Sequence, residues 1–89
     1  MALHYDITIT GKVQNVGFRF YAQKTAHELE ITGFVKNSKD GSVHIEAEGE
    51  VENLKQFVAW CHKGPPWATV ESVIVNQSPV MQLRGFLVE

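Results

Sequence analysis

Eighty-nine residues, 44% of them apolar and 10% aromatic, describe one soluble folding unit spanning 1–89, large enough to bury a core without metal or disulfide support. The lone cysteine, Cys61, excludes an intramolecular disulfide, and no apolar run reaches the length of a membrane span. Eight basic against ten acidic side chains leave a net charge of −2, which argues against nucleic acid as the partner, because phosphate-backbone binders carry a basic face.

The opening Met1-Ala2-Leu3-His4 does not read as a signal peptide, so the expected compartment is the cytoplasm. Residues 4–11 alternate, with Tyr5, Ile7 and Ile9 on one face and His4, Asp6, Thr8 and Thr10 on the other. That is the period of a half-buried strand. Over 18–29 the period changes, and Phe18, Ala22, Ala26 and Leu29 fall on one face of a helix. Residues 31–37 form a short apolar run read as a second strand, and Ser38-Lys39-Asp40-Gly41 supplies a hairpin turn with Gly at the positive-φ position. Alternation resumes over 42–48, with Val43, Ile45 and Ala47 inward and Ser42, His44, Glu46 and Glu48 outward.

A second helix is expected over 49–63, with Val51, Leu54, Phe57, Val58 and Cys61 on its apolar face. Glu50 and Glu52 begin it and His62 and Lys63 end it, as the helix dipole prefers, and Gly64-Pro65-Pro66 stops it. Residues 70–75 read as a fourth strand and 85–88 as a short last one; 76–83 gives no clear pattern. The order is that of an α+β, ferredoxin-like α/β sandwich (βαββαβ): an antiparallel sheet with two helices on one face and water or a ligand on the other.

The loop between the first strand and first helix, Gly11-Lys12-Val13-Gln14-Asn15-Val16-Gly17-Phe18-Arg19, carries the chemistry. Amides at a helix start are unpaired and partly positive, glycines let successive amides face one concavity, and an Arg adds a planar fork of donors. That combination suits an anion, above all a phosphate. The alternative is a Gly-rich turn that binds nothing. The loop lacks the Lys-Ser/Thr of a nucleotide-binding loop and the three-glycine dinucleotide fingerprint. In this strand order the first two strands run the same way with the third between them. Arg19 and Asn37 are 18 residues apart in sequence, yet their backbones should lie at one end of the sheet, roughly 10 Å apart.

Three segments then resemble the acylphosphatase family: residues 11–19 its G-x-V-Q-G-V-x-F-R signature, Gly33-Phe34-Val35-Lys36-Asn37-Ser38-Lys39-Asp40-Gly41-Ser42-Val43 its second segment, and Gly64-Pro65-Pro66-Trp67-Ala68-Thr69-Val70 its G-P-P-x-A-x-V stretch. The resemblance implies an enzyme that hydrolyses the carboxyl–phosphate bond of acyl phosphates without cofactor or metal. It implies that Arg19 binds the phosphate, that Asn37 orients the attacking water, and that the loop through Gln14, Asn15, Val16, Gly17 and Phe18 supplies backbone donors. Asn15 stands where the family most often has Gly; Asn is the residue best able to replace it at positive φ.

The partner expected is a small acyl phosphate, with no nucleic acid and no membrane, acting on a monomer. His4, His27, His44 and His62 show no metal-ligand spacing and read as surface or edge histidines. Asp40 reads as a turn residue, Trp60 as core edge, and Trp67 as a ring that can pack under a loop. The competing function is a non-catalytic ferredoxin-like module that binds phosphate or another small ligand. An RNA-binding version is disfavoured, because Ser42, His44, Glu46 and Glu48 replace the aromatics such a sheet displays.

Overall fold

The alternating N-terminal residues form strand β1 (Ala2–Lys12), and the chain continues as α1 (Phe18–Glu28), β2 (Thr32–Asn37), β3 (Val43–Glu50), α2 (Val51–Lys63), β4 (Thr69–Ser78) and β5 (Phe86–Val88). The computed structural model describes residues 1–89. The sheet order is β4-β1-β3-β2-β5. Both β1 and β2 pair antiparallel with β3, so they run in the same direction with β3 between them. The last strand pairs parallel with β2, placing Val88 beside Val35. The sheet is therefore mixed, with one short parallel edge on an otherwise antiparallel frame. No helix is long and apolar enough to cross a membrane.

The inward residues of β1 and β3 meet the apolar helix faces. Ile7, Ile9, Val43, Ile45 and Ala47 are buried together with Phe18, Ala22 and Ala26 of α1 and Leu54, Phe57 and Cys61 of α2. Removing each of Ile7, Ile45, Leu54 and Phe57 from water contributes about 1.5–3 kcal/mol. Burial pushes the Cys61 thiol pKa up, which makes it an inert core residue. Trp60 sits at the core edge, its ring centroid 5.1 Å from Phe18 and 6.1 Å from Phe57. Trp67, in contrast, is largely exposed.

The ends of α1 are set by different means. Gly17 is its N-cap in the left-handed region, with no side-chain cap. At the other end Glu30 takes φ 55°, its amide donates to the His27 carbonyl at 3.3 Å, and that of Ile31 donates to Ala26 at 2.8 Å. These two bonds are the paired closure of a Schellman motif, which turns the chain sharply into β2. Gly11 sits at a register shift between β1 and β4; a Cβ there would lie 2.2 Å from the Thr69 carbonyl oxygen, so the two strands approach only because it is glycine.

The outer face of the sheet departs from expectation. His4 is not a surface histidine but is 1% exposed, and Glu48 is 6% exposed. The segment after β4 crosses over them, and its Met81 and Leu83 amides donate to Glu48 Oε2 at 2.7 Å and Oε1 at 3.2 Å. His4 Nδ1 lies 2.8 Å from Glu48 Oε2 and its Nε2 2.9 Å from Glu46 Oε1. Burial opposes charge on His4, but hydrogen bonds to Glu48 and Glu46 outweigh it and raise the pKa. Burial likewise opposes the charge of Glu48; the Met81 amide, His4 and the Leu83 amide prevail and lower its pKa. Beyond this pair, His44 lies between Asp6 and Glu46, at 3.4 and 3.6 Å. Ser42, also expected outward, is buried in the hairpin turn.

Candidate active site

Between the end of β1 and the start of α1 the backbone leaves regular structure and turns through two left-handed residues, Asn15 at φ 61° and Gly17 at φ 81°. Asn is among the few residues with a side chain that accept this region at low cost. Neighbouring Val13 and Val16 point into the core and are buried, which pins the loop from beneath. The amides of residues 14–17 and of the first three residues of α1 donate to no backbone carbonyl. Such a run of unpaired donors at the positive end of a helix leaves partial positive charge facing outward, an arrangement suited to an anion.

The second half of the site comes from the hairpin that follows β2. Asn37 ends β2, and the parallel course of β1 and β2 brings it to the same end of the sheet as the loop. Gln14 ties the halves together: its Nε2 donates to the Ser38 carbonyl at 2.7 Å and to that of Ser42 at 2.9 Å. The hairpin is also closed from within, because Asp40 Oδ1 accepts from the Ser42 amide at 3.0 Å and hydroxyl at 2.6 Å. Those bonds hold the Asp40 carboxyl below its usual pKa, and the residue serves the turn.

Arg19 is oriented from the far end of the chain. Its Nη1 donates to the main-chain oxygen of Glu89 at 2.7 Å. Glu89 is brought there by the parallel pairing of β5 with β2, continued by its amide to the Val35 carbonyl at 2.8 Å. Gln23 adds a second tie between α1 and β5, its Nε2 donating to the Phe86 carbonyl at 2.8 Å.

These elements enclose a cavity of about 300 Å³ lined by Val13, Asn15, Gly17, Phe18, Arg19, Phe20, Gln23, Asn37 and Val88. Of the residues singled out in the sequence, Arg19, Asn37, Asn15, Gly17 and Phe18 line it together; Gln14 and Val16 do not, the first clamping the hairpin and the second packing below. Phe20, Gln23 and Val88 were not anticipated. Phe20 carried a usable signal, since it is an aromatic lying off the Phe18–Ala22–Ala26 face of its helix. No Asp, Glu or His lines the cavity; the one group of histidine and carboxylates with ligand atoms close enough to share a metal, Asp6, His44 and Glu46, lies on the outer face of the sheet.

Fold and cavity define a ferredoxin-like sandwich with Arg19, Asn15, Asn37 and a row of amides without backbone partners gathered at one end of its sheet. The sequence model of the acylphosphatase family matches residues 5–88. An acylphosphatase of Nocardioides sp. is 44% identical over 81 residues, which cover 91% of this chain and 82% of that protein. The structure of an acylphosphatase from Coxiella burnetii superposes with a TM-score of 0.96 at 36% identity, covering 99% of this chain and 93% of that one. That of acylphosphatase from Bacillus subtilis gives 0.94 at 36% identity, covering 98% of each. The chain belongs to the acylphosphatase family of enzymes.

Proposed function

We propose that the chain hydrolyses the carboxyl–phosphate bond of acyl phosphates to a carboxylate and inorganic phosphate, as a cytoplasmic monomer and without a metal. The observation that carries the mechanism is the convergence of one guanidinium, the Asn37 carboxamide and a run of unpaired amides on a cavity lined by no carboxylate or imidazole. That set suits a reaction whose leaving group is already a stable anion and needs little acid assistance. Arg19 and the amides of the 14–19 loop hold the non-bridging oxygens and stabilise the charge they gain in the transition state. Asn37 accepts a hydrogen bond from water through its carbonyl and donates another to the phosphoryl group. The water oxygen bonds to phosphorus as the bond from phosphorus to the carboxylate oxygen breaks. Its proton passes to a phosphoryl oxygen, so no separate general base is required.

The test is hydrolysis of benzoyl phosphate followed by ultraviolet absorbance. Inorganic phosphate should inhibit competitively. Arg19→Ala removes a charge-assisted contact that strengthens in the transition state, a loss of about 3 kcal/mol or roughly a hundredfold in rate, and weakens phosphate inhibition as well. Near-normal activity in that variant would overturn the assignment. Phosphate binding with no turnover by the wild-type chain would favour a ligand-binding module instead.

A further inference from the structure

The cavity lining is of two kinds: Asn15, Gly17, Arg19, Gln23 and Asn37 bring polar groups or backbone, and Phe20 and Val88, with the buried Val13 and Phe18, bring carbon. Phe20 is 64% exposed and Val88 43% exposed. Single exposed apolar side chains are ordinary. Here two of them, from helix α1 and from strand β5, converge on the cavity that holds the anion cradle. Their separation is fixed, because the Arg19–Glu89 and Gln23–Phe86 hydrogen bonds fasten β5 to α1 on either side of Val88. The Phe20 ring is itself braced edge-on by Tyr21, with centroids 5.1 Å apart.

We propose that Phe20 and Val88 form an acyl-binding wall that makes the chain selective for acyl phosphates with an apolar or aromatic acyl group. The proposal rests on the hydrolytic function above and adds its substrate class. Once the phosphoryl group occupies the amides and Arg19, the rest of the substrate meets the Phe20 and Val88 side chains and the neutral carboxamide of Gln23, whose Nε2 is already engaged by the Phe86 carbonyl. Arg19 is the sole charged residue lining the cavity. A second anionic group, such as a carboxylate on the acyl chain, would therefore lie beside apolar surface with no cation of its own. An acetyl group is too small to cover the Phe20 ring, whereas a benzoyl group can stack on or against it and shed water from both.

The experiment compares kcat/KM for benzoyl, acetyl and succinyl phosphates in the wild type, Phe20→Ala, Phe20→Leu and Leu87→Ala. Leu87 is an exposed apolar residue of β5 that does not line the cavity. The ratio of benzoyl to acetyl phosphate, and of benzoyl to succinyl phosphate, is expected to fall about tenfold in Phe20→Ala and only about two- to threefold in Phe20→Leu. Leu87→Ala should leave both ratios unchanged. Inhibition by inorganic phosphate, which engages the cradle alone, should shift by less than about twofold in the Phe20 variants. Equal loss on all three substrates, or unchanged ratios in Phe20→Ala, would overturn the acyl wall while leaving hydrolysis intact. A wild-type chain inactive on all three would overturn the hydrolytic function and the wall together.

Discussion

Asn15 offers the sharpest test of the loop. Its backbone lies at φ 61°, a region that costs a β-branched residue about 1–2 kcal/mol more than it costs glycine. In Asn15→Val that strain can stay in the folded loop or be released by rotating the loop out of shape. The second outcome is favoured, because the amides from residue 14 to the first turn of α1 donate to no backbone carbonyl that would hold them. The productive loop conformation then falls in population by roughly 5- to 30-fold, and phosphate affinity and kcat/KM fall together. Asn15→Gly keeps the left-handed turn and should stay within about threefold of wild type in both. Phosphate-dependent thermal stabilisation reads the same quantity independently of turnover. At a phosphate concentration of 100 times the wild-type Kd, binding stabilises the wild type by about 2.7 kcal/mol, and a variant with tenfold weaker affinity by about 1.4 kcal/mol. The Val13 and Val16 anchors are untouched, so both variants should fold cooperatively. Equal activity and equal phosphate stabilisation in the Val and Gly variants would refute the account of the loop.

Asn37→Ala is expected to lower kcat far more than it weakens phosphate inhibition, since its assigned partner is water; a normal kcat with much weaker inhibition would exchange the roles. Gln14→Ala removes the shared side-chain donor of the Ser38 and Ser42 carbonyls, which keep their backbone partners Gly41 and Ser38, and should cost about 0.5–1.5 kcal/mol in urea unfolding together with a fall in kcat as the Asn37 hairpin loosens; unchanged stability and rate would remove it from the architecture of the site. Activity should survive excess EDTA, because the cavity offers no carboxylate or imidazole to a cation; loss on chelation with recovery on adding one divalent metal would contradict this. The raised pKa of His4 gives stability that is full below its usual value of 6.5 and lost as pH rises through the folded value, while the lowered pKa of Glu48 gives stability that is full above 4.5 and lost as pH falls through its folded value. Unfolding midpoints should therefore be highest between those values and decline as pH rises above 6.5, and His4→Gln should flatten the alkaline decline; an identical slope in the variant would exclude His4 as its source.

Much of the site was legible because its information is local. The strand-to-helix loop is written in consecutive residues 11–19, and the shift from period two to the helical spacing of Phe18, Ala22 and Ala26 brackets it. The nearness of Asn37 to Arg19 followed from strand order alone, since inserting β3 forces β1 and β2 to run in parallel. The outer face was not legible for the opposite reason. Residues 76–83 show no clear period, and the path of the chain beyond β4 depends on Glu48 accepting amides 33 and 35 residues downstream. Alternation marks His4 and Glu48 as outward, and outward means solvent until some other segment covers them. Val88 falls in the same class: nothing local ties it to the loop at 11–19 until β5 docks beside β2.

The hydrogen bond from Arg19 to Glu89 spans 70 residues, and this gives enzymatic turnover a meaning as a clock. A chain that has formed its central hairpin and first helix already owns the 14–19 loop and Asn37. It lacks the acceptor that steers the guanidinium and the Val88 side of the cleft until the final strand pairs with β2. Contacts between such distant segments are among the slow steps of folding. In a refolding experiment, recovered catalysis would therefore time the arrival of the last few residues, after helix content and most tertiary fluorescence have returned.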